Sequence, residues 1–365
     1  MKIAIIIPVY NAEKTIRRAI KSIDTTHEVE IICVNDGSTD HSRHELTQLQ
    51  KEVKNIMIYN QDNQGAAASR NFGLAAMSDD VEAFMFLDAD DQFLPGRLDK
   101  MIDYYERNQE VDIVIGQIGR GVQGDWKIIP THEEINRESL VSLAEAPEIL
   151  QSIGPGGKLF NSKFSALRFD EDVVFCEEHT FVTRAYLTAR DIQLLPLIIY
   201  GYNEQEGSIT DKRADTFISY IEDARRVRQR VMEMLLLTNE KAYYSYRMDD
   251  LIVSYLIQAY LLKCSKVTPE FIDKVTHYIK DMQHTNYSGD ALFRIIQAVE
   301  QGATNWTRDT YEKWRQTLID VGIGRPGYFR FQAQVMPKKF AFSSKQLVKR
   351  TLKRWCSITY KINGM

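Results

Sequence analysis

The chain has 365 residues, of which 44% are hydrophobic and 26% charged, and its net charge is −4, all ordinary values for a soluble globular protein. Its length exceeds that of a usual single domain, so we expect one large domain and a second, smaller domain in the same chain. No segment approaches the roughly 18 apolar residues that a membrane-spanning helix needs, and the apolar start is expected to be a buried strand rather than a signal peptide. Four scattered cysteines indicate reduced thiols in a cytoplasm rather than a disulfide framework.

Strand and helix patterns alternate through the first half of the chain. This alternation predicts an α/β fold whose mixed, mostly parallel sheet has helices on both faces and binds ligands beyond the strand ends. A hairpin is also expected at Gly119–Gly124, and a helix over Glu133–Ile149. The predicted strands are Ile3–Pro8, Glu30–Asn35, Asn55–Asn60, Ala83–Leu87, Ile113–Gly116 and Gln193–Tyr202. The predicted helices between them are Ala12–Ile23, one from about Ser42, Ala66–Ala76, Leu98–Asn108 and Thr180–Ala189.

From Asp215 onward, long helical patterns replace this alternation. We therefore predict three parts: a catalytic domain over 1–213, an α-helical accessory domain over 214–322 and a basic tail over 323–365. Tyrosine and leucine stripes in the accessory domain are typical of a core or of an oligomer interface. The predicted helices are Phe217–Leu237, Tyr243–Cys264, Pro269–Met282, Ala291–Glu300 and Thr307–Asp320.

Three carboxylates stand within four residues at the end of the strand that precedes Asp88. Asp88, Asp90 and Asp91 repel one another unless a cation compensates. A hard divalent ion such as Mg²⁺ or Mn²⁺ prefers oxygen ligands and leaves coordination positions for a substrate. The alternative is a solvated loop whose aspartates cap a helix.

Three other motifs are ambiguous when each is taken alone. They are a strand ending in Pro-Val-Tyr-Asn at 8–11, a turn Asp36–Asp40, and the segment Asn63–Gly65 followed by Ser69–Gly73. Together with Leu87–Asp91, and in this order, they resemble the family 2 glycosyltransferases of GT-A fold over about residues 1–210.

The resemblance implies a nucleotide site and a metal site at these motifs. Asn63 and Arg70 are expected to reach the base and the phosphates, because a guanidinium matches phosphate oxygens. Asp88 is expected to face the ribose, and Asp90 to bind Mn²⁺ or Mg²⁺. The residues implied to contact the nucleotide are Pro8, Val9, Tyr10, Asp36, Asn63, Arg70, Asp88 and Ala89.

Inverting transfer also needs a base that takes the proton of the acceptor hydroxyl. The family supplies it from a Glu-Asp pair, which is replaced here by Glu177-Glu178. Glu178 matches the family's aspartate, with Glu177 as the alternative, and a plain acidic helix start is the structural reading. His179 is expected to be a pocket wall rather than a metal ligand. The resemblance further implies that Lys158 begins a strand lining the acceptor pocket and that a loop at 207–210 covers the donor diphosphate.

The function expected from this resemblance is inverting transfer from a UDP-sugar to a glycopolymer of the bacterial envelope. The layout resembles wall teichoic acid glycosyltransferases, for which the acceptor is a polyol-phosphate polymer. A capsular or lipopolysaccharide transferase and a non-catalytic UDP-sugar binding module are the alternatives. Nothing in the chain is typical of nucleic-acid binding.

The last part of the chain is strongly basic. Ten of the 46 basic residues follow Asp320, which is the last acidic one. The segment 344–362 interleaves them with apolar residues, a pattern that favours a helix lying on an anionic membrane or binding a polyanion. A terminal helix packed on the body is the alternative. These features predict a cytoplasmic protein with peripheral contact to the inner face of the cell membrane.

Overall fold

The structure of the protein is a computed structural model, which describes residues 1–108, 110–122, 124–203, 214–258, 260–261, 267–282, 291–303 and 305–322. The predicted diphosphate loop at 207–210 and the predicted basic helix at 344–362 lie outside the described residues. None of the described helices is long and apolar enough to cross a membrane.

In the part of the chain that the structure describes, a mixed sheet of ten strands forms the centre of the first half. The strands are β1 (Lys2–Val9), β2 (Glu28–Asp36), β3 (Ile56–Gln61), β4 (Ala83–Phe86), β5 (Gln92–Phe93), β6 (Ile113–Val122), β7 (Asp125–Ile128), β8 (Ser139–Val141), β9 (Lys158–Asn161) and β10 (Ile192–Asn203). Their order in the sheet is β3-β2-β1-β4-β9-β6-β10-β5, and β7 pairs with β6 and β8 with β10. The fold class predicted from the alternating pattern is confirmed.

Parallel pairing joins β1 to β2 and β4, β2 to β3, and β6 to β10, whereas β9 runs antiparallel between β4 and β6. Because the apolar runs of β1, β2 and β4 are buried on both faces, they form the centre of the core. The helices of this half are α1 (Ile16–Lys21), α2 (Ser42–Glu52), α3 (Ala66–Ala75), α4 (Leu98–Arg107) and α5 (Glu178–Thr188).

The predicted hairpin at Gly119–Gly124 is confirmed by the antiparallel pairing of β6 with β7. The predicted helix over Glu133–Ile149 is wrong: this segment holds the short strand β8 and a 3₁₀ turn at Pro147–Gln151. Ser139–Val141 pairs antiparallel with β10, so tertiary pairing overrides a weak helical pattern. Glu145 accepts hydrogen bonds from the backbone and the hydroxyl of Ser142, which closes a local turn instead of a helix.

Two compact units divide the described chain. One contains the described residues of 1–212 together with 226–244, and the other contains 213–225 and the described residues from 245 onward. The predicted division at 213/214 remains a prediction, because compactness alone does not establish independent folding. Beyond β10 the elements are α6 (Ala214–Met234), α7 (Thr238–Asp250), a π-helix (Leu251–Ile257), α8 (Pro269–Met282), α9 (Ala291–Gly302) and α10 (Arg308–Asp320).

The topology places the sequence motifs at one edge of the sheet. Asp36 ends β2, and Asp88 follows β4 by two residues. Since β1, β2 and β4 are parallel, their carboxyl ends meet at the same edge, which is where sheets of this kind bind ligands.

Candidate active site

Asp36 is buried and holds the turn that precedes α3. Its Oδ1 accepts hydrogen bonds from the backbone N–H of Gln64 (2.8 Å) and from the side chain of Gln61 (2.8 Å), and its Oδ2 accepts one from the N–H of Gly65 (2.8 Å). A carboxylate offers about four lone-pair positions, so one remains for a ligand. Asn63 donates to the backbone oxygen of Asp36 (3.1 Å), which ties the second and third motifs together.

The Pro-Val-Tyr-Asn turn is locked onto the next motif through Asn11. Its backbone N–H donates to Ser38 (3.1 Å), and its side-chain oxygen accepts from the backbone N–H of Thr39 (2.8 Å). Val9 is fully buried, whereas the ring of Tyr10 is 52% exposed. Val9 therefore supports the turn from within the core, and Tyr10 offers an open aromatic face.

Arg70 joins two carboxylate motifs that are far apart in sequence. Its Nη2 donates to Asp88 Oδ1 (2.9 Å), and its Nη1 donates to Glu177 Oε1 (2.8 Å) across 107 residues of chain. The guanidinium is buried and lies 5.4 Å from the centre of the Phe169 ring. The charges of Asp88, Glu177 and Glu178 outweigh the effect of burial and raise the pKa of Arg70. Arg70 therefore brings the aspartate and glutamate motifs to one place.

An aromatic cluster under Arg70 fixes the distance between these motifs. The rings of Phe169 and Phe181 stack with centres 4.2 Å apart, and Phe86 packs edge-on against both at 5.2 and 5.7 Å. Phe86 ends β4 just before Asp88, and Phe181 lies in the first turns of α5. Edge-to-face and stacked rings resist displacement, so this cluster holds both carboxylate motifs in position.

Asp88–Asp91, which we call the aspartate loop, is held by β10. The hydroxyl of Tyr200 accepts from the backbone N–H of Asp88 (3.1 Å) and donates to the carboxylate of Asp91. Asp91 is buried and also accepts from the backbone N–H of Asn203 (3.0 Å). Burial and the neighbouring Asp88 and Asp90 raise the pKa of Asp91 to about 8.

Asp90 differs from Asp91 in that its side chain is exposed. Its backbone oxygen accepts hydrogen bonds from Arg18 (2.5 Å) and from the side chain of Asn203 (3.1 Å), which orients the residue. Crowding by the surrounding protein, together with Asp88, raises the pKa of its carboxylate. The carboxylate of Asp90 is accessible and lies near other carboxylates, a combination that suits a divalent cation.

Glu177 and Glu178, which we call the glutamate pair, have different surroundings. Glu177 is bound to Arg70, and burial together with Glu178 raises its pKa to about 7. Glu178 begins α5, keeps 25% of its side chain exposed and has its carboxylate 3.8 Å from His179 Nε2. The other ring nitrogen of His179 lies 3.2 Å from the Tyr244 hydroxyl, and the ring is buried. His179 therefore forms part of the wall beside Glu178.

Lys158 is fully buried at the start of β9. Its ammonium donates to the Ser152 hydroxyl (2.9 Å) and to the backbone oxygen of Gly154 (2.5 Å). Burial lowers its pKa to about 7, while the charge of Glu178 acts in the opposite direction. Ser152 in turn lies 2.8 Å from His132 Nε2, so a buried polar chain ends close to the glutamate pair.

The glycine-rich segment before Lys158 packs closely against β10. A Cβ on Gly156 would lie 3.1 Å from the Tyr200 ring. The glycine therefore makes room for the tyrosine that holds the aspartate loop. The pattern of the sequence did not indicate Tyr200, Asn203 or Arg18, because nothing in a strand or helix pattern reports such long-range hydrogen bonds.

One group with metal-ligand spacing lies elsewhere. The ligand atoms of His27, Asp103 and Glu106 are all within 4.8 Å of one another, and no other such group of three occurs among the residues that the structure describes. His27 precedes β2, and Glu106 pairs with the amino terminus of Met1 (3.2 Å). This group therefore lies at the amino ends of the strands, opposite the edge that carries the aspartate loop.

Comparison with known proteins agrees with this arrangement. The family model "Glycosyl transferase family 2" matches residues 4–172. The "Putative glycosyltransferase TagX" of Staphylococcus aureus strain MRSA252 is 37% identical over 354 residues, which cover 96% of this chain and 100% of that protein. The "Poly(ribitol-phosphate) beta-glucosyltransferase" of Bacillus spizizenii is 30% identical over 211 residues, 55% of this chain and 32% of that protein.

Among solved structures, S. aureus TarS 1-349 in complex with UDP-GlcNAc has a TM-score of 0.63 at 19% identity and covers 86% of this chain and 92% of its own. This likeness shows the fold. Full-length similarity to TagX, together with the family model and the four motifs in order, shows that the chain belongs to the family 2 glycosyltransferases.

Proposed function

We propose that the protein transfers a hexosyl or N-acetylhexosaminyl group, with inversion, from a UDP-sugar to a glycopolymer of the bacterial envelope, with a polyol-phosphate polymer of the wall teichoic acid type as acceptor. The observation that carries the proposal is the pairing of Arg70 with both Asp88 and Glu177, which brings donor-site and base-site motifs together. The relative named as acting on poly(ribitol-phosphate) and the fold shared with a UDP-GlcNAc complex support the choice of acceptor and donor.

The nucleotide is assigned to the edge formed by the first three motifs. Tyr10 offers its exposed ring to the uracil, and Asp36 offers its remaining lone pair. Pro8, Val9 and Ala89 would contribute by shaping the turns around the nucleotide, since Val9 and Ala89 are buried. Asn63, Arg70 and Asp88 complete the proposed set around ribose and phosphates.

Asp90 is the proposed ligand of Mn²⁺ or Mg²⁺. Its exposed carboxylate and its repulsion by Asp88 both suit a hard cation. When bound, such an ion stabilises the negative charge that develops on the departing diphosphate. Arg18 and Asn203 hold the Asp90 backbone and so orient its side chain.

Glu178 is the proposed base. Glu177 is committed to Arg70 at 2.8 Å, whereas the carboxylate of Glu178 is partly open and borders His179. An ionised carboxylate at this place can accept the proton of an acceptor hydroxyl as that oxygen attacks the anomeric carbon. The bond from the anomeric carbon to the diphosphate breaks on the opposite side, which inverts the configuration.

The reaction is proposed to occur in the cytoplasm at the inner face of the membrane, with the basic tail as a peripheral contact. Cys33 is a buried free thiol, which suits a reducing compartment. Sedimentation with liposomes tests the contact: deletion of 344–365 should lower binding to anionic vesicles, and an unchanged partition would reject it.

The activity is tested by incubating the purified chain with a panel of UDP-sugars, Mn²⁺ and poly(ribitol phosphate), and by measuring UDP release and sugar incorporation. We expect one donor to give polymer-dependent UDP release that a chelator stops. UDP binding without turnover on any donor or acceptor would instead indicate a binding module.

A further inference from the structure

Three side chains form a row across neighbouring strands next to the aspartate loop. Tyr202 of β10 pairs with Arg120 of β6, and Arg120 pairs with Lys127 of β7. Directly paired residues project from the same face of a sheet, with Cβ atoms about 5 Å apart. Tyr202, Arg120 and Lys127 therefore stand side by side, and we call them the basic row.

The basic row continues the face that carries the proposed catalytic groups. Tyr202 lies two residues after Tyr200, so both rings project from the same face of β10. Tyr200 contacts the aspartate loop through its hydroxyl. Burial, followed by the charges of Asp91 and Asp90, raises the pKa of Tyr202.

The position of the two cations is set by the hairpin. The guanidinium of Arg120 lies 5.2 Å from the centre of the Tyr202 ring, a cation–π contact that restricts its orientation. A Cβ on Gly121 would lie 2.0 Å from the backbone oxygen of Asp125, so only glycine allows the strands to approach this closely.

A groove of about 410 Å³ borders the hairpin and is large enough for a phosphate with its neighbouring carbons. Arg120 and Lys127, both exposed, line it from neighbouring strands, and Asp125 is the one acidic group among the described lining residues. Two cations in one groove suit an anionic ligand. The lining consists of Arg120, Gly121, Asp125, Lys127, Ile128, Ile129 and Pro130.

We propose that the basic row is an acceptor subsite, in which Arg120 and Lys127 bind one phosphate of a polyol-phosphate chain while the open ring of Tyr202 packs against the adjoining polyol. The inference rests on the proposed function and adds a phosphate-binding site for the acceptor. The donor diphosphate is assigned to the aspartate loop, so a second phosphate site farther along the same face belongs to the acceptor. A phosphate held there leaves a neighbouring polyol unit to reach the glutamate pair.

The test compares the double variant Arg120→Gln/Lys127→Gln with Lys51→Gln/Lys54→Gln. The control removes two charges from exposed lysines on α2 and before β3, at the other side of the sheet. Binding of fluorescently labelled poly(ribitol phosphate) is measured by anisotropy, and KM for the same polymer by UDP release. Circular dichroism and UDP affinity check that each variant is folded.

We expect the basic-row variant to bind the polymer at least about tenfold more weakly and to raise its KM by the same factor, since the loss of even one charged hydrogen bond has about this effect. The control should stay within about twofold of the wild type. Unchanged polymer affinity in the basic-row variant, or a wild type that does not bind the polymer, would overturn the subsite. Polymer binding by the wild type that the basic-row variant loses, without turnover on any donor, would uphold the subsite and reject the proposed activity, so the two failures are distinguishable.

Discussion

The aspartate loop and the glutamate pair present the same chemical group in neighbouring positions, yet the protein treats their members differently. In the aspartate loop, Asp91 is buried and bonded to β10 while Asp90 is exposed. In the glutamate pair, Glu177 is bound to Arg70 while Glu178 is partly open. Each region thus has one carboxylate that holds the structure and one that is open to a ligand. Surroundings, not residue type, divide the roles.

Removing the open carboxylate of the aspartate loop should have the largest effect. Asp90→Ala should lower metal-dependent transfer on the order of a thousandfold, because the several kcal/mol supplied by a divalent ion are lost. Initial rates of UDP release over a Mn²⁺ titration measure this. Asp79→Ala, an exposed aspartate before β4, is the control that should keep the wild-type rate. Full activity of the Asp90 variant would reject its assignment to the metal.

The glutamate pair provides the second test. Glu178→Gln should lower kcat about a hundredfold or more, the typical contribution of a general base, and leave UDP affinity close to that of the wild type. Glu177→Gln should have a smaller effect, acting through Arg70. Single-turnover rates and UDP titrations on both variants separate these outcomes. If Glu177→Gln costs more turnover than Glu178→Gln, the two roles are reversed.

The positions of these carboxylates could be predicted from sequence. Asp36 and Asp88 belong to short motifs at strand ends, and the glutamate pair at the start of α5 was found through the resemblance to the family. The partners that divide their roles were not found, since Tyr200 and Asn203 act over a separation of 112 residues or more. No local pattern records such a contact. The wrong helix over Glu133–Ile149 failed for the same reason, because pairing of β8 with β10 decides that segment.

Lys158 allows a test of the electrostatics beside the glutamate pair. Burial lowers its pKa from the ordinary value of 10.5 to about 7, so between these two pH values the folded state binds fewer protons than the unfolded state. The free energy of unfolding therefore gains a contribution that rises with pH from about 7, by at most about 1.4 kcal/mol per pH unit. Lys158→Met should remove this rise.

Urea denaturation at pH 7 and pH 9 measures the effect of Lys158 as a difference between variant and wild type. Lys158→Met also loses the hydrogen bonds to Ser152 and Gly154, which lowers the free energy of unfolding by the same amount at both pH values. Only the part of the difference that changes with pH therefore reports on the charge of Lys158. Lys163→Met, a half-exposed lysine after β9, is the control, and its difference from the wild type should not change with pH. A pH-independent difference for Lys158→Met would show that its ammonium keeps its ordinary pKa.

The smallest effect is expected for a substitution of Tyr200, which holds the buried part of the aspartate loop. Tyr200→Phe removes the hydroxyl that accepts from the Asp88 backbone and donates to Asp91, while the ring stays packed against Phe93. Loss of a buried hydrogen bond costs about 1 kcal/mol. Because the loop is then less ordered before the ion binds, we expect the Mn²⁺ concentration for half-maximal activity to rise about fivefold, with kcat at saturating Mn²⁺ little changed.

Tyr105→Phe is the matched control for Tyr200→Phe, since Tyr105 is also buried and its hydroxyl also forms a hydrogen bond, with Asn161 (2.6 Å). Both variants should lose similar stability, but only Tyr200→Phe should change the Mn²⁺ requirement. If both shift it equally, the effect is general loosening of the fold. If neither variant changes the Mn²⁺ requirement, Asn203 and Arg18 are sufficient to hold Asp90 in position. The different roles of Asp90 and Asp91 would then not depend on the contact of Asp91 with Tyr200.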